Sequence, residues 1–305
     1  MNVNNTLGER NPHCTIPVQW GIHAMGVDPA PSEPPPGLVS RARGGRHPFF
    51  RSPRRFHVYV NMLIITLTAS SRPGYLRDVL GALSRCDGVD DVLLLPHVEP
   101  GNDEVRALIE SVSFCPCEST WNPEQLGVNR NTHDALADGF ARGDVVLHLE
   151  DDVVPARDCL TYFRHVAERY RSDPAIWTAT GYNRLKSLPS RNEWRTLQRR
   201  SYFHAWSWLT WRDRWDKMAD HALWRATDLT WDCRVCEAVK GTGLSEVYPI
   251  LSRVQNIGLT SSIHTNLPRS FFAENHRLKV WAGQVGVPSG EFTEQGENEV
   301  GAAYG

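Results

Sequence analysis

Gly143-Asp144-Val145-Val146-Leu147-His148-Leu149-Glu150-Asp151-Asp152-Val153-Val154-Pro155 is the stretch on which the fold of this 305-residue chain turns. Residues 145–149 are apolar except for His148, so they read as a short strand buried on both faces. The strand runs straight into three acids. In open α/β sheets, ligands sit beyond the carboxyl ends of the strands. Three carboxylates gathered there repel one another unless a cation joins them. An acidic triplet is also an ordinary solvated surface. Its place directly after a buried strand is what favours a binding role.

Outward from this stretch, strands and helices alternate. Residues 58–68 are rich in Val, Ile, Leu, Tyr and Thr and predict a buried strand, broken at Ser70-Ser71-Arg72-Pro73-Gly74. Residues 75–84 place Leu76, Val79, Leu80 and Leu83 on one helical face. A strand is expected at 91–95, a helix at 105–112, and a helix through Ala135, Leu136 and Phe140 that ends at Gly143. Beyond the triplet come a helix at 158–171 and a strand at 176–180. The aromatic run 203–211 opens a helix near 212–218. A helix over 229–239, a strand over 245–249 and a loop over 253–262 complete the pattern. Such alternation predicts an α/β fold with a mostly parallel central sheet covered by helices.

The flanks differ. Residues 1–56, with clustered prolines and arginines, bury too little apolar surface to offset their ordering entropy, and they read as a disordered or dispensable leader. Residues 57–282 form the expected catalytic domain, and 283–305 a flexible Gly-rich and acidic tail. With 33 Lys+Arg against 35 Asp+Glu, the formal net charge is −2, so nothing attracts nucleic acid globally. The longest apolar run near the start, 62–67, is far short of the ~20 residues that span a bilayer. No basic start feeds an apolar stretch. No integral membrane segment and a cytoplasmic location are expected. Cys115-Pro-Cys117 is too tight for a zinc pair, and Cys233 and Cys236 fall in an expected helix. The cysteines therefore read as ordinary thiols in a reducing compartment.

A triplet fixed at a strand end suits a hard divalent cation, Mn²⁺ or Mg²⁺, which takes oxygen ligands and neutralises a leaving diphosphate. Asp152 is the candidate metal ligand. Glu150 and Asp151 suit ribose hydroxyls, the base or metal-bound water.

His148-Leu149-Glu150-Asp151-Asp152-Val153-Val154-Pro155, followed by Cys159-Leu160-Thr161-Tyr162-Phe163, resembles the signature of the alpha-1,3-mannosyl-glycoprotein N-acetylglucosaminyltransferase I family. Residues 68–76 around Arg72-Pro73, residues 173–183 through Tyr182, residues 203–209 through Trp208, Trp231-Asp232, and Ser252-Arg253 with Gly258 follow in the family's order. The resemblance covers about 62–264. It implies a Rossmann-like GT-A nucleotide-sugar fold, Mn²⁺ held by Asp152 and inversion at the sugar. It further implies Arg72 near the donor nucleotide, Tyr182 on the donor-side loop and a catalytic base at Asp232. A UDP-sugar, first of all UDP-N-acetylglucosamine, is the implied donor. Cys233 stands where the family often has a second Asp, and Asn129-Arg130-Asn131 is not its usual text.

Each residue has a plainer reading beside this one. Asp232 either takes a proton from an acceptor hydroxyl or caps a helix start. Arg72 and Arg253 either grip the diphosphate with their donor forks or pair with local acids. Trp206, Trp208 and Tyr182 either line a sugar pocket or belong to the core. His264 is a loop histidine or a late ligand. The leading expectation is an inverting glycosyltransferase that uses a small-molecule or glycan acceptor. A sugar-phosphate nucleotidyltransferase and a non-catalytic sugar- or nucleotide-binding protein are the alternatives. The nucleotidyltransferase would normally carry a more glycine-rich loop than 70–74.

Overall fold

The computed structural model describes residues 62–219, 224, 230–258, 278, 280–287 and 290–294. The expected leader, residues 58–61 of the first strand, the loop holding His264 and the end of the tail lie outside them.

Strand β1 (Leu63–Ala69) is the centre of the sheet. Residues 63–67 are all buried, and successive side chains of a strand point to opposite faces, so both faces are covered. Helix α1 (Pro73–Leu83) follows, with Pro73 at a helix start, where a missing N–H costs nothing. Next come β2 (Val92–Val98), buried throughout, and α2 (Asp103–Glu110). Asn102 caps α2 by accepting from the Val105 N–H at 3.0 Å. Strand β3 (Thr120–Trp121) lies at the edge, and α3 (Val128–Phe140) leads into β4 (Val145–Glu150). Gly139 lets α3 approach closely, since a Cβ there would lie 2.8 Å from Thr66 Cγ2.

The chain continues through β5 (Val153–Pro155), α4 (Cys159–Arg169), β6 (Ile176–Thr180), β7 (Thr196–Arg200) and β8 (Trp208–Trp211). Then follow α5 (Arg212–Trp215), α6 (Trp231–Val239), β9 (Ser245–Pro249) and β10 (Val254–Asn256). The last elements are α7 (Ala282–Val285) and β11 (Thr293–Glu294). Nine strands form one sheet in the order β11-β7-β9-β6-β8-β4-β1-β2-β3, and β10 pairs with β5 separately.

The sheet is mixed but, as expected, mostly parallel: five of its eight strand pairings among the described residues run parallel. Strands β1 to β4 are mutually parallel where they pair, but β8 runs antiparallel to both β4 and β6, and β7 antiparallel to β9. The reason is local. The Gly181 N–H donates to Ser207 O at 2.8 Å, so the end of β6 and the start of β8 meet at one edge, and β8 must run back. The expected loop over 253–262 contains β10, and the expected loose tail contains β11 and most of α7. Phe292, only 6% exposed, packs there against Tyr162, with ring centroids 5.5 Å apart.

Candidate functional site

The chain runs outward from β1 to β2 and β3, then returns to lay β4 on the other side of β1. In open α/β sheets a crevice forms where the direction of winding reverses, at the carboxyl ends of two such strands. Thr68 and Glu150 are register partners there. Everything that follows each strand converges on this point: Ser70 to Arg72 after β1, Asp151 and Asp152 after β4.

Arg72 reaches across. Its Nη1 donates to Asp152 Oδ2 at 2.6 Å and its Nη2 to Asp151 Oδ1. Asp151 and Asp152 are buried at 3% and 7% exposure, so the pairs are largely desolvated. Arg72 also lies over the Tyr75 ring, 5.6 Å from its centroid. The Ile257 N–H donates to the Asp152 backbone carbonyl at 2.8 Å, which ties the triplet to the residue after β10. A Cβ on Gly258 would fall 2.2 Å from Asp152 Oδ2, so any larger residue would have to displace that carboxylate or the chain beside it.

Among the described residues, charge is out of balance at this crevice: one guanidinium faces Asp151 and Asp152, with Glu150 and Asp232 also within electrostatic reach. Burial pushes the Asp151 carboxyl up to about 6, although Arg72 opposes the shift. Burial raises Glu150 well above the usual carboxylate range, and Asp152 and Asp232 add to the rise. Glu150 keeps some contact with solvent at its surface, yet its carboxylate is surrounded by protein. The same acids raise the Arg72 guanidinium further, against its burial.

Such a donor set fits a hard divalent cation: all-oxygen, anionic and rigidly mounted. Among the described residues, no three His, Cys, Asp or Glu side chains stand ready to enclose an ion by themselves.

Asp232 lies in the first turn of α6, beside Trp231. Thr230 takes the cap position, without a side-chain cap bond. Trp231 is 2% exposed and sits in an aromatic stack: Trp208 at 5.7 Å, Trp224 at 6.1 Å and His148 edge-on at 5.9 Å between centroids. His148 is itself buried on β4, and its Nδ1 lies 3.0 Å from Thr66 Oγ1. Burial drives its imidazole down to about 3, so the ring is neutral at ordinary pH.

Three expected ligand contacts belong to the interior instead. Trp208 is fully buried between β4 and β6 and packs edge-on against Phe203 at 5.0 Å. Tyr182 is 5% exposed, stacked on His204 at 4.0 Å and edge-on to Trp206 at 4.6 Å. The three rings cover one another. Arg253 is 0% exposed. Its Nε donates to Asp158 Oδ2 at 3.0 Å, its Nη2 to Trp194 O at 2.8 Å and its Nη1 to Leu251 O. A guanidinium so engaged and enclosed is held by the fold.

Two features were missed in the sequence. Gly258 was seen only as part of a motif, and its contact with Asp152 appears only in three dimensions. Asn129, set aside as unfamiliar text, accepts from the Trp231 N–H at 2.8 Å.

No protein-family model matches the sequence, and no curated protein matches it. The resemblance to the N-acetylglucosaminyltransferase I family therefore rests on its motifs alone. Solved structures are similar to this chain at low identity. One is the mannosyltransferase PcManGT from Pyrobaculum calidifontis in complex with GDP-Man and Mn²⁺: 15% identity, TM-score 0.42, covering 61% of this chain and 54% of that one. Another is S. aureus TarS residues 1–349: 10% identity, TM-score 0.44, covering 63% and 59%. A longer S. aureus TarS structure gives 10% identity and a TM-score of 0.39, covering 62% and 37%. The chain thus spans little more than half the length of the first two.

Proposed function

We propose that this protein is an inverting glycosyltransferase that moves a sugar from a nucleotide diphosphate-sugar to an acceptor hydroxyl. The observation that carries the reading is the unbalanced acidic cluster at the β1/β4 switch point, where one arginine faces buried carboxylates. A nucleotide-sugar accompanied by a divalent cation supplies the missing positive charge and the phosphate oxygens together.

In this reading Asp152, with Asp151 beside it, holds the cation. When bound, the cation is a Lewis acid that stabilises charge on the departing diphosphate. Glu150 and Asp151 face the nucleotide ribose. Arg72 orients both aspartates and stands at the mouth of the site, where its fork can shift toward phosphate oxygen. Asp232 accepts the proton of the acceptor hydroxyl as that oxygen bonds to the anomeric carbon. The bond from the anomeric carbon to the diphosphate oxygen breaks with its electron pair, and the nucleoside diphosphate leaves. One displacement inverts the sugar and needs no enzyme nucleophile. UDP-N-acetylglucosamine is the first donor to try, by resemblance to the N-acetylglucosaminyltransferase I motifs.

Calorimetry with UDP-N-acetylglucosamine, UDP-glucose and GDP-mannose, each with and without Mn²⁺, tests the reading. Mn²⁺-dependent binding of one of them, lost in Asp152→Asn, is the expected result. Binding of none, or equal binding without metal, overturns it.

A further inference from the structure

Helix α6 carries Asp232 in its first turn. A helix start leaves its first N–H groups without intrahelical partners. Thr230 has the extended backbone of a capping residue, yet its Oγ1 donates to Cys233 Sγ at 3.6 Å. The Trp231 N–H is taken instead by Asn129 Oδ1 at 2.8 Å, from 102 positions away in sequence.

Asn129 is in the first turn of α3, and that turn is anchored to the donor side of the crevice. Glu99, 5% exposed, accepts from the Leu126 and Gly127 N–H groups at 2.9 and 2.8 Å. The Glu99 N–H donates to Ala69 O at 2.9 Å, the last residue of β1. One turn along α3, His133 Nε2 donates to Ala219 O at 3.0 Å, and its ring lies 5.4 Å from that of Trp224, which stacks on Trp231. A continuous run of bonds thus leads from the end of β1, through Glu99 and the start of α3, to the backbone that bears Asp232.

We infer that Asn129 is a positioning residue for Asp232: it caps α6 from outside and fixes the carboxylate at a set distance from the triplet. This inference rests on the proposed function. It assigns Asn129 no contact with substrate.

The test uses the full chain with Mn²⁺ and whichever of the three nucleotide-sugars binds. Release of the nucleoside diphosphate is followed, with water as acceptor, in Asn129→Ala, Asn129→Asp, Asp232→Asn and the Asn129→Ala/Asp232→Asn double variant. Turnover in Asn129→Ala falls about tenfold while the donor Kd stays within twofold. Asn129→Asp, which keeps the acceptor oxygen, recovers most of the rate. In the Asp232→Asn background, Asn129→Ala changes turnover less than twofold, because both changes act through one group. Parent-like turnover in Asn129→Ala, or effects that multiply in the double variant, overturns the inference. Parent-like turnover in Asp232→Asn instead removes the base assignment, and the inference falls with it. A merely structural Asn129 would lower the melting temperature and weaken donor binding and turnover alike.

Discussion

Two arginines in this molecule hold carboxylates, to opposite effect. Arg253 is fully buried, and its guanidinium meets Asp158 and two backbone carbonyls, with Arg195 a further 3.8 Å from the same carboxylate. Around Asp158, positive charge and donors answer the buried acid. Arg72 instead faces Asp151 and Asp152, with Glu150 and Asp232 in reach, and Glu150 and Asp151 are pushed up by burial and by their acidic neighbours. A balanced buried pair is architecture, and removing either partner strands the other. An unbalanced cluster stores repulsion that a bound cation relieves, which is the physical mark of a ligand site.

The sharpest way to break that contrast is to neutralise one residue in each centre. Asp152→Asn should cut turnover about 10³-fold, the rate equivalent of ~4 kcal/mol, because it removes the proposed metal ligand. Its melting temperature should be no lower than the parent's, since a repelling charge has also gone. Loss of fold together with activity would make the triplet structural. Arg253→Met should do the reverse. It leaves Asp158 buried with a weakened partner, at a cost of roughly 3–5 kcal/mol. Thermal unfolding should show a drop of about 10 °C. Donor binding, measured below the transition, should remain. If Arg253→Met melts like the parent but no longer binds donor, Arg253 returns to the site.

The sequence separates these centres only in part. Strands β1, β2, β4 and β6 are legible because each is mostly a run of apolar or β-branched residues between clear breakers. Strand β7, Thr-Leu-Gln-Arg-Arg, is not: it buries Leu197 and Gln198, and its Arg200 pairs with buried Glu246 at 2.7 Å. Strands β5 and β10 are three residues each and stabilise one another only as a pair. The acids of the site stand out because they follow a buried strand. Arg253 looked like a loop residue because Asp158, which explains it, lies 95 positions away. Trp208 and Tyr182 are expected at the donor site yet are buried, since an aromatic run reads alike whether it lines a pocket or fills a core. Asn129 carried no chemical signal at all, for its partner is a backbone N–H.

Gly258 offers a gentler perturbation of the unbalanced centre, from the backbone side. Gly258→Ala must displace the Asp152 carboxylate or the chain beside it, because the new Cβ would fall 2.2 Å from Oδ2. Mn²⁺-dependent donor affinity should weaken about tenfold by calorimetry, ~1.4 kcal/mol, with a melting temperature within a few degrees of the parent's. Unchanged affinity would mean that the carboxylate's place beside Gly258 does not matter to the ligand.

Asp138 provides the smallest test, as a third ion pair lying between the two extremes. Burial alone would raise its carboxyl, but His97 Nε2 at 3.3 Å, from β2, and Arg142 Nη1, just beyond α3, hold it below its ordinary value. Asp138 is therefore of the balanced kind, and its titration has the opposite sign to that of Asp151. A carboxyl whose folded pKa lies below its unfolded value of about 3.9 stabilises the fold fully above that value, and this stabilisation is lost as pH falls through the folded pKa. The parent's melting temperature should thus fall more steeply below about pH 4 than that of Asp138→Asn. Near neutral pH the variant should be less stable by no more than about 1 kcal/mol, or a few degrees, because the pair keeps partial contact with water. Parallel acid limbs in the two proteins would show that Asp138 is not balanced by its partners, and the line drawn between the two kinds of centre would then rest on Arg253 alone.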